Sequence, residues 1–300
     1  MAAELLTRYF SNDLAKQLFP SGNFLSYAKN DDAYVNNNSV ELPNSGTLPA
    51  VTVNRSSFPA TATQRTDTAG QYVLAEFSTA PTNFQFSEGL MIAYNKRADL
   101  LEQHVKMINQ KGEETALYNW AATGITVVPT TGSARATSSP SATGTRKALT
   151  AADVIKAINV LNQQDVPVEG RKIIVPADMY GDMLAIDNFV RADSFGTPNI
   201  PTGLIGRVYG CDVFMRSSVT VYTGTTIKAQ GAAGAAADNQ GAIVWHPDFV
   251  RRAKGASKVL LRMDDPLYYG DVLSAVARFG AVRARLDNKG VVAIVEAAGA

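Results

Sequence analysis

Cysteine and histidine are scarce in this sequence, with one cysteine and two histidines among 300 residues. The single cysteine, Cys211, excludes an internal disulfide framework and a cysteine-based zinc site. Its apolar, strand-like surroundings favour a buried and unreactive thiol. Neither His104 nor His246 has a second ligand at helical spacing, which argues against a histidine-rich metal site. We therefore expect no cofactor and no bound metal.

An excess of charge of either sign is also missing, because 28 Lys and Arg residues face 27 Asp and Glu residues. Proteins that bind nucleic acid by neutralising phosphates normally carry a clear basic excess, so only non-specific contact with DNA is expected. No apolar stretch reaches the roughly 20 residues that a membrane helix needs, so no membrane partner is expected. The first residues lack the basic start and apolar run of a secretory signal, which predicts the cytoplasm.

Catalytic motifs are absent as well: the chain has no Gly-x-Ser-x-Gly, no Walker-type phosphate loop and no Gly-x-Gly-x-x-Gly. Two carboxylate pairs, Asp178 with Asp182 and Asp264 with Asp265, are the types of residue that bind a cation or act as acid and base. Such pairs more often stabilise structure, so we predict that the chain has no catalytic residue and is not an enzyme. An α+β hydrolase or nucleotide-binding enzyme is the alternative from a different class.

A sizeable core is present, since 46% of the residues are hydrophobic and 18% are charged. Residues 4–19 predict an amphipathic helix that ends at a Pro/Gly pair. Short alternating segments at 39–43, 50–54 and 72–77 predict strands, with a polar tip at 55–71 between them. These strands form a long β-hairpin whose tip cannot build a core of its own.

The strongest helical pattern follows this hairpin. Leu90, Tyr94, Ala98, Leu101, Val105 and Ile108 are spaced so that they lie on one stripe of a helix from 88 to 111. Gly112 is expected to bend or interrupt the helix, which 113–120 can continue. Residues 129–146 are rich in Thr, Ser, Ala and Gly, and predict a mobile linker at a domain boundary.

The second half of the chain alternates strands and helices, which makes the fold class α+β. Thr150 begins a capping-box-like sequence before a helix. The predicted elements that follow are a strand at 171–175, a helix at 177–186, strands at 208–215, 219–222 and 242–245, and a loop at 231–237. The end of the chain predicts an antiparallel hairpin between 272–286 and 291–295, with Gly290 in its turn.

Two segments together resemble the major capsid proteins of tailed bacteriophages, which have the Hong Kong 97 fold. The first, residues 168–180, combines Gly170-Arg171 with an apolar strand, Pro176 and a short helix. The second, residues 203–218, contains Ile205-Gly206 followed by another glycine and an apolar strand. The order of the two motifs and their flanking architecture carry the resemblance, which extends over most of the chain.

The resemblance implies a Hong Kong 97-type fold with five parts. They are an N-terminal arm at 1–36, an extended β-hairpin loop at 37–87, a peripheral domain with a spine helix at 88–149, an axial domain at 150–262, and closing peripheral strands at 263–300.

The resemblance also implies a virion protein that self-assembles into hexamers and pentamers of an icosahedral shell around phage double-stranded DNA. Separate scaffold, portal and decoration proteins are the partners it suggests. The expected subunit-interface residues are Val51, Val53, Phe58, Val73, Leu74, Phe77, Arg251, Arg252, Arg283 and Arg285.

The chain departs from some relatives in two ways. Certain family members join subunits covalently through a lysine in the extended loop, whereas no lysine occurs here between Lys29 and Lys96. Many also begin with a long scaffolding segment that is cleaved, and here only a short arm precedes the hairpin. We therefore expect either that a scaffold, if the shell needs one, is a separate protein, or that the segment has already been removed. Within the same fold, the alternative function is that of an encapsulin-like shell, which packages protein cargo.

Overall fold

The computed structural model describes residues 24–46, 49–56, 58–60, 62, 64–85, 96–137, 139, 141–186, 190–191 and 204–299. The helix predicted at 4–19 lies outside these residues. The helices are α1 (Lys96–Trp120), α2 (Ala151–Gln163) and α3 (Ala177–Leu184). The strands are β1 (Lys29–Asn30), β2 (Ser39–Asn44), β3 (Thr68–Val73), β4 (Ala75–Ser78), β5 (Thr82–Gln85), β6 (Thr126–Pro129), β7 (Ala134–Ala136), β8 (Thr145–Lys147), β9 (Lys172–Pro176), β10 (Val190–Arg191), β11 (Leu204–Val208), β12 (Cys211–Arg216), β13 (Thr220–Thr223), β14 (Thr226–Ile227), β15 (Asp238–Trp245), β16 (Val250–Asp265), β17 (Gly270–Arg283) and β18 (Val291–Val295).

One sheet has five strands and is built around the long antiparallel pair β16–β17. β1 lies beside β16, while β4 and β5 both pair with β17. The long helix α1 packs on this sheet through Leu101, Val105 and Ile108, which are buried against the inward side chains of β16 and β17. The predicted apolar stripe is confirmed for these three residues. The part of the stripe that includes Leu90 and Tyr94 lies outside the described residues.

Gly112 does not interrupt this helix, so that part of the prediction is wrong. α1 continues through it to Trp120, a span of 25 residues or about 38 Å. An added Cβ at Gly112 would lie 3.7 Å from Phe279 Cδ1, an ordinary contact. The helix is therefore held by its packing on β17, which outweighs the weak helix propensity of glycine.

The second sheet has nine strands in the order β10–β11–β12–β9–β15–β13–β14, with β18 pairing with both β15 and β6. Every residue of β9, β15 and β18 is buried, because both faces of the sheet are covered. α2 and α3 cover one face and the C-terminal end of α1 covers the other. The capping box is confirmed, since Thr150 and Asp153 bond reciprocally at the start of α2.

A cluster of four aromatic side chains joins the two sheets. The Trp120 and Trp245 ring centroids lie 5.8 Å apart. Phe24 meets both indoles edge-on, at 5.9 and 6.3 Å, and Phe214 lies 6.3 Å from Trp245. The cluster connects α1, both sheets and the segment that precedes β1, so the two halves of the subunit share one core.

The predicted C-terminal hairpin is wrong. β17 pairs along its length with β16, and β18 enters the nine-stranded sheet instead. The sequence predicted no strand at Val250–Asp265, although the burial of this segment alternates as in a strand with one face covered. Gly290 does adopt a left-handed φ of 85°, but the turn carries the chain from one sheet to the other.

Two further predictions need correction. Residues 129–146 are not a structureless linker: β6 joins the nine-stranded sheet, and β7 pairs with β8. Arg146 secures β8 by donating to the carbonyl oxygens of Ala236 at 2.9 Å and Asp238 at 3.0 Å. The predicted strand at 208–215 is divided by a Tyr209-Gly210 turn, at which both residues have positive φ.

Candidate assembly surface

The base of the extended hairpin is fixed to the five-stranded sheet. β2 and β3 pair antiparallel from Ser39–Val73 to Asn44–Thr68. Their inner face, together with the residue after β3, forms a small buried cluster of Val40, Leu42, Tyr72, Leu74 and Ala253. The strand beneath Tyr72 has little room for a side chain, because a Cβ added at Gly280 would lie only 3.1 Å from the Tyr72 ring.

Beyond this base the hairpin loses contact with the subunit. Every described residue from 49 to 69 is exposed, and Val51, Val53 and Phe58 are 90%, 81% and 78% exposed. Val73 lies on the outer face of β3 and is also exposed. The predicted strand at 50–54 is wrong, since no strand is assigned there. Large apolar side chains held in water on a projecting segment are typical of an interaction site.

Leu74 and Phe77 do not share this exposure. Leu74 is 4% exposed and fills the cluster under the hairpin. Phe77, on β4, is half-buried against the core beneath α1. Both side chains are thus already covered at least in part by their own subunit, and a role for them between subunits stays a prediction.

Two of the predicted interface arginines hold the segment that precedes the hairpin. Arg251 donates to Asp31 Oδ1 at 2.8 Å, and Arg252 donates to the carbonyl oxygen of Leu25 at 2.9 Å. Leu25 itself is buried in the shared core. From residue 24 onward, the predicted N-terminal arm is thus packed on its own subunit.

The other two arginines also have partners within the chain. Arg283 donates to the carbonyl oxygens of Ala122 at 2.7 Å and Thr123 at 3.1 Å, where a cation suits the negative end of α1. Arg285 pairs with Asp287 at 2.7 Å. A role for these arginines between subunits stays a prediction.

A second exposed apolar surface was missed by the sequence interpretation. The turn between β16 and β17 presents Leu267, Tyr268 and Tyr269, which are 76%, 51% and 81% exposed. Strand β16 is 16 residues long, or about 50 Å at a strand rise of about 3.3 Å. The available signal was the Leu-Tyr-Tyr run in a turn between two alternating segments.

The candidate acid–base groups have structural partners. Asp182 accepts from Arg135 Nε at 3.0 Å and from the Leu149 amide at 2.9 Å. Asp265 is buried, where it accepts from the Leu267 amide at 3.0 Å and pairs with Arg262 at 3.1 Å.

The two histidines and the cysteine are also buried. His104 Nδ1 lies 2.7 Å from Thr79 Oγ1. His246 uses both ring nitrogens, towards the Glu169 carbonyl at 3.0 Å and the Asp248 amide at 3.3 Å. The expected burial of Cys211 is confirmed, and this burial raises the pKa of its thiol to about 11. Within the described ranges, no three His, Cys, Asp or Glu residues are grouped as a metal site.

No helix in the described part of the chain is long and apolar enough to cross a membrane.

Comparison with solved structures identifies the fold. The capsid of cyanophage P-SCSP1u matches 92% of this chain and 88% of its own, with a TM-score of 0.63 and 14% identity. The capsid of Ralstonia phage GP4 has a TM-score of 0.62 and 11% identity, covering 91% of this chain and 88% of its own. A virus-like particle from Pyrococcus furiosus matches with a TM-score of 0.53 and 8% identity over 96% of this chain and 99% of its own. The fold is therefore of the Hong Kong 97 type.

No curated protein sequence matches the chain. The family model for phage capsid protein matches residues 82–294. This range includes the whole of α1, the nine-stranded sheet except Val295, and the five-stranded sheet except β1 and β4. Because this match covers more than two thirds of the sequence, the chain belongs to the phage capsid protein family and is a structural component of the virion.

Proposed function

We propose that this capsid protein is the major shell subunit, arranged as hexamers and pentamers around phage double-stranded DNA, with the extended hairpin holding the copies together. The observation that carries the proposal is the hairpin itself. Its base is anchored by buried side chains, whereas Val51, Val53 and Phe58 project into water. An isolated subunit leaves these side chains without the burial that a neighbouring copy can provide.

The physical basis of assembly is the repeated burial of a small apolar area. Burying one Val or Phe side chain contributes about 1.5–3 kcal/mol before the cost of association. A single hairpin contact is thus modest. A closed shell repeats the contact around each symmetry axis, so that every subunit is held by several neighbours.

The proposed domains follow the two sheets. The five-stranded sheet with α1 corresponds to the peripheral domain, and the nine-stranded sheet with α2 and α3 corresponds to the axial domain. The sequence boundaries at 149–150 and 262–263 remain predictions. The pairing of β16 with β17 supports a start of the closing peripheral strands near Val250, and β18 pairs in the axial sheet.

Shortening the hairpin tests this role. The variant replaces residues 45–67 with an Asn-Gly turn, which leaves the whole of β3 and its Asn44–Thr68 pair in place. We expect a folded subunit with unchanged circular dichroism that forms no shells by electron microscopy. Normal shells from this variant would refute the proposed role of the hairpin.

A point variant separates apolar contact from loop length. Changing Val51, Val53 and Phe58 together to Ser should reduce shell yield at least tenfold at a given protein concentration. Val168→Ser is the matched control, because Val168 is 66% exposed on the turn before β9 and should assemble normally. Equal losses in both variants would show that a general loss of surface hydrophobicity is responsible, which would count against the hairpin.

The alternative is an encapsulin-like shell that packages protein cargo. The family match favours the phage capsid over this alternative. We propose that shells assemble in the host cytoplasm with separate scaffold, portal and decoration proteins. Nuclease-protected DNA in purified particles would support the phage role, and a defined protein cargo would support the alternative.

A further inference from the structure

The base of the hairpin rests on a buried polar cluster that lies mostly outside the hairpin itself. Asp31, which follows β1, is 1% exposed. Its Oδ1 accepts from Arg251 at 2.8 Å, and its Oδ2 accepts from the Tyr72 hydroxyl at 3.1 Å. One carboxylate thus joins the segment before the hairpin, the hairpin strand β3 and the sheet strand β16.

Asp31 is itself held in place by its neighbours in the chain. Its amide donates to the Arg252 carbonyl at 2.9 Å, and β1 runs parallel to β16 at Arg251 and Arg252. The next residue, Asp32, accepts from the Lys254 amide at 2.7 Å. Phe24 and Leu25 anchor the same segment in the shared core. The carboxylate is therefore presented to Tyr72 from a fixed support.

The apolar contacts under the hairpin are few and cannot set its direction alone. Val40, Leu42, Tyr72 and Leu74 pack on Ala253, with only Val35 and Val282 as partly buried neighbours among the described residues. Hydrophobic contact is non-directional, so a hairpin held only in this way could tilt at little cost. A hydrogen bond between a buried charge and a hydroxyl fixes both distance and direction.

We propose that residues 24–32 act as a bracket for the hairpin, with Asp31 as the positioning residue that sets the angle at which the hairpin leaves the subunit. The inference rests on the proposed role of the hairpin in assembly. A hairpin at the wrong angle would present its apolar tip away from the neighbouring copy. Loss of the bracket should therefore slow assembly while the tip residues stay intact.

The first test measures hairpin orientation in unassembled full-length subunits, independently of shell formation. Spin labels at Ala69→Cys on β3 and Lys258→Cys on β16 report the angle through their distance distribution. Cys211 is buried with a raised thiol pKa, so it should remain unlabelled. We expect one narrow distribution in the parent. Asp31→Asn and Tyr72→Phe should each broaden it, while Tyr34→Phe, which alters a 71% exposed tyrosine, should not.

The second test measures assembly of the same unlabelled variants by light scattering. Asp31→Asn and Tyr72→Phe should each lower the assembly rate at least tenfold, and Tyr34→Phe should match the parent. Tyr72→Phe removes one hydroxyl and keeps the ring in the apolar cluster, so it tests the proposal even if Asp31→Asn does not fold. A lower melting temperature with an unchanged distance distribution would overturn the proposal, because Asp31 would then stabilise the subunit without positioning the hairpin.

The two proposals can fail separately. Normal shells from the shortened hairpin would refute the hairpin's role in assembly, whatever the label distances show. A broadened distribution with normal assembly kinetics would refute the link between the bracket and assembly, while the loss of shells on shortening would still support the hairpin's role.

Discussion

Single residues in this subunit show how burial decides the chemistry of a side chain. His104 stands beside Val105 of the apolar stripe in the sequence, and its side chain is 7% exposed, between α1 and the residue that follows β4. The imidazole lies against Thr79, whose hydroxyl also accepts from the Ala275 amide at 2.9 Å. A histidine there is part of the packing between the helix and the sheet.

His104 should make subunit stability depend on pH. Burial lowers the pKa of His104 below its usual value, so the unfolded chain binds a proton at a higher pH than the folded subunit. The neutral His104 side chain therefore makes its full contribution to the free energy of unfolding above about pH 6.5, the pKa in the unfolded chain. As the pH falls from there through the lowered pKa of the folded state, this contribution is lost at up to about 1.4 kcal/mol per pH unit. Urea unfolding of the parent and His104→Asn between pH 7.5 and 5 should show a flatter dependence in the variant. Parallel curves would contradict this assignment.

Gly290 occupies a backbone position that leaves no room for a side chain. It has a φ of 85°, and an added Cβ would lie 2.2 Å from Phe249 Cγ. Gly290→Ala should lower the free energy of unfolding by at least about 2 kcal/mol, through backbone strain and overpacking. Gly231→Ala is the control, since Gly231 has a φ of 78° with open space around it. Chemical denaturation should show a smaller loss for the control, and equal losses would mean that the Phe249 contact is unimportant.

At the level of elements, the long helix and the long strand pair set the shape of the subunit. The sequence predicted α1 from its apolar spacing, because a helix repeats its face every three to four residues. It did not predict β16, because the alternating apolar pattern of this strand is interrupted by four basic residues, Arg251, Arg252, Lys254 and Lys258. The charged heads of these side chains lie at the surface or on partners while the strand backbone pairs with β17.

Gly112 gives a direct test of what stabilises α1. Gly112→Ala should raise the free energy of unfolding by about 0.5–1 kcal/mol, since alanine restricts the unfolded chain and favours the helix. The nearest atom, on Phe279, leaves room for the methyl group. Gly181→Ala in α3, with nothing near its added Cβ, should act in the same direction. A loss of stability in Gly112→Ala alone would show that the helix–sheet contact is tighter than the distance indicates.

The turn between β16 and β17 should contribute to assembly separately from the hairpin. Leu267 and Tyr269 are more than three-quarters exposed, so changing both to Ser should leave the melting temperature of the subunit unchanged. We expect fewer shells or less regular particles by electron microscopy, because an exposed apolar tip loses its partner surface. Val168→Ser again serves as the control. Normal particles from the double variant would show that the turn between β16 and β17 makes no contact that assembly needs.

For the whole molecule, the two sheets share a core through Trp120, Trp245, Phe24 and Phe214. This arrangement makes the body of the subunit one folded unit, from which the hairpin projects. Assembly therefore adds contacts at projecting segments and leaves the core intact. Such a shell is held by many weak, repeated contacts.

The absence of a lysine from the extended loop predicts shells without covalent links between subunits. Shells dissolved in denaturing detergent should migrate as a single chain of 32.0 kDa. A ladder of covalent multimers in the absence of added cross-linker would contradict this prediction. Because the contacts are non-covalent, shells should also dissociate reversibly in moderate urea.

The amino-acid sequence alone determined the local features of this protein: the stripe of α1, the capping box at Thr150, the strand before Pro176 and an extended hairpin without a core of its own. These follow from spacing and from the chemistry of neighbouring residues. Only the tertiary structure decided that β17 pairs with β16, that β18 joins the other sheet, and that Asp31 meets Tyr72 beneath the hairpin. Such pairings depend on which distant surfaces are buried together, and the residues involved are separated by 41 positions in the case of Asp31 and Tyr72.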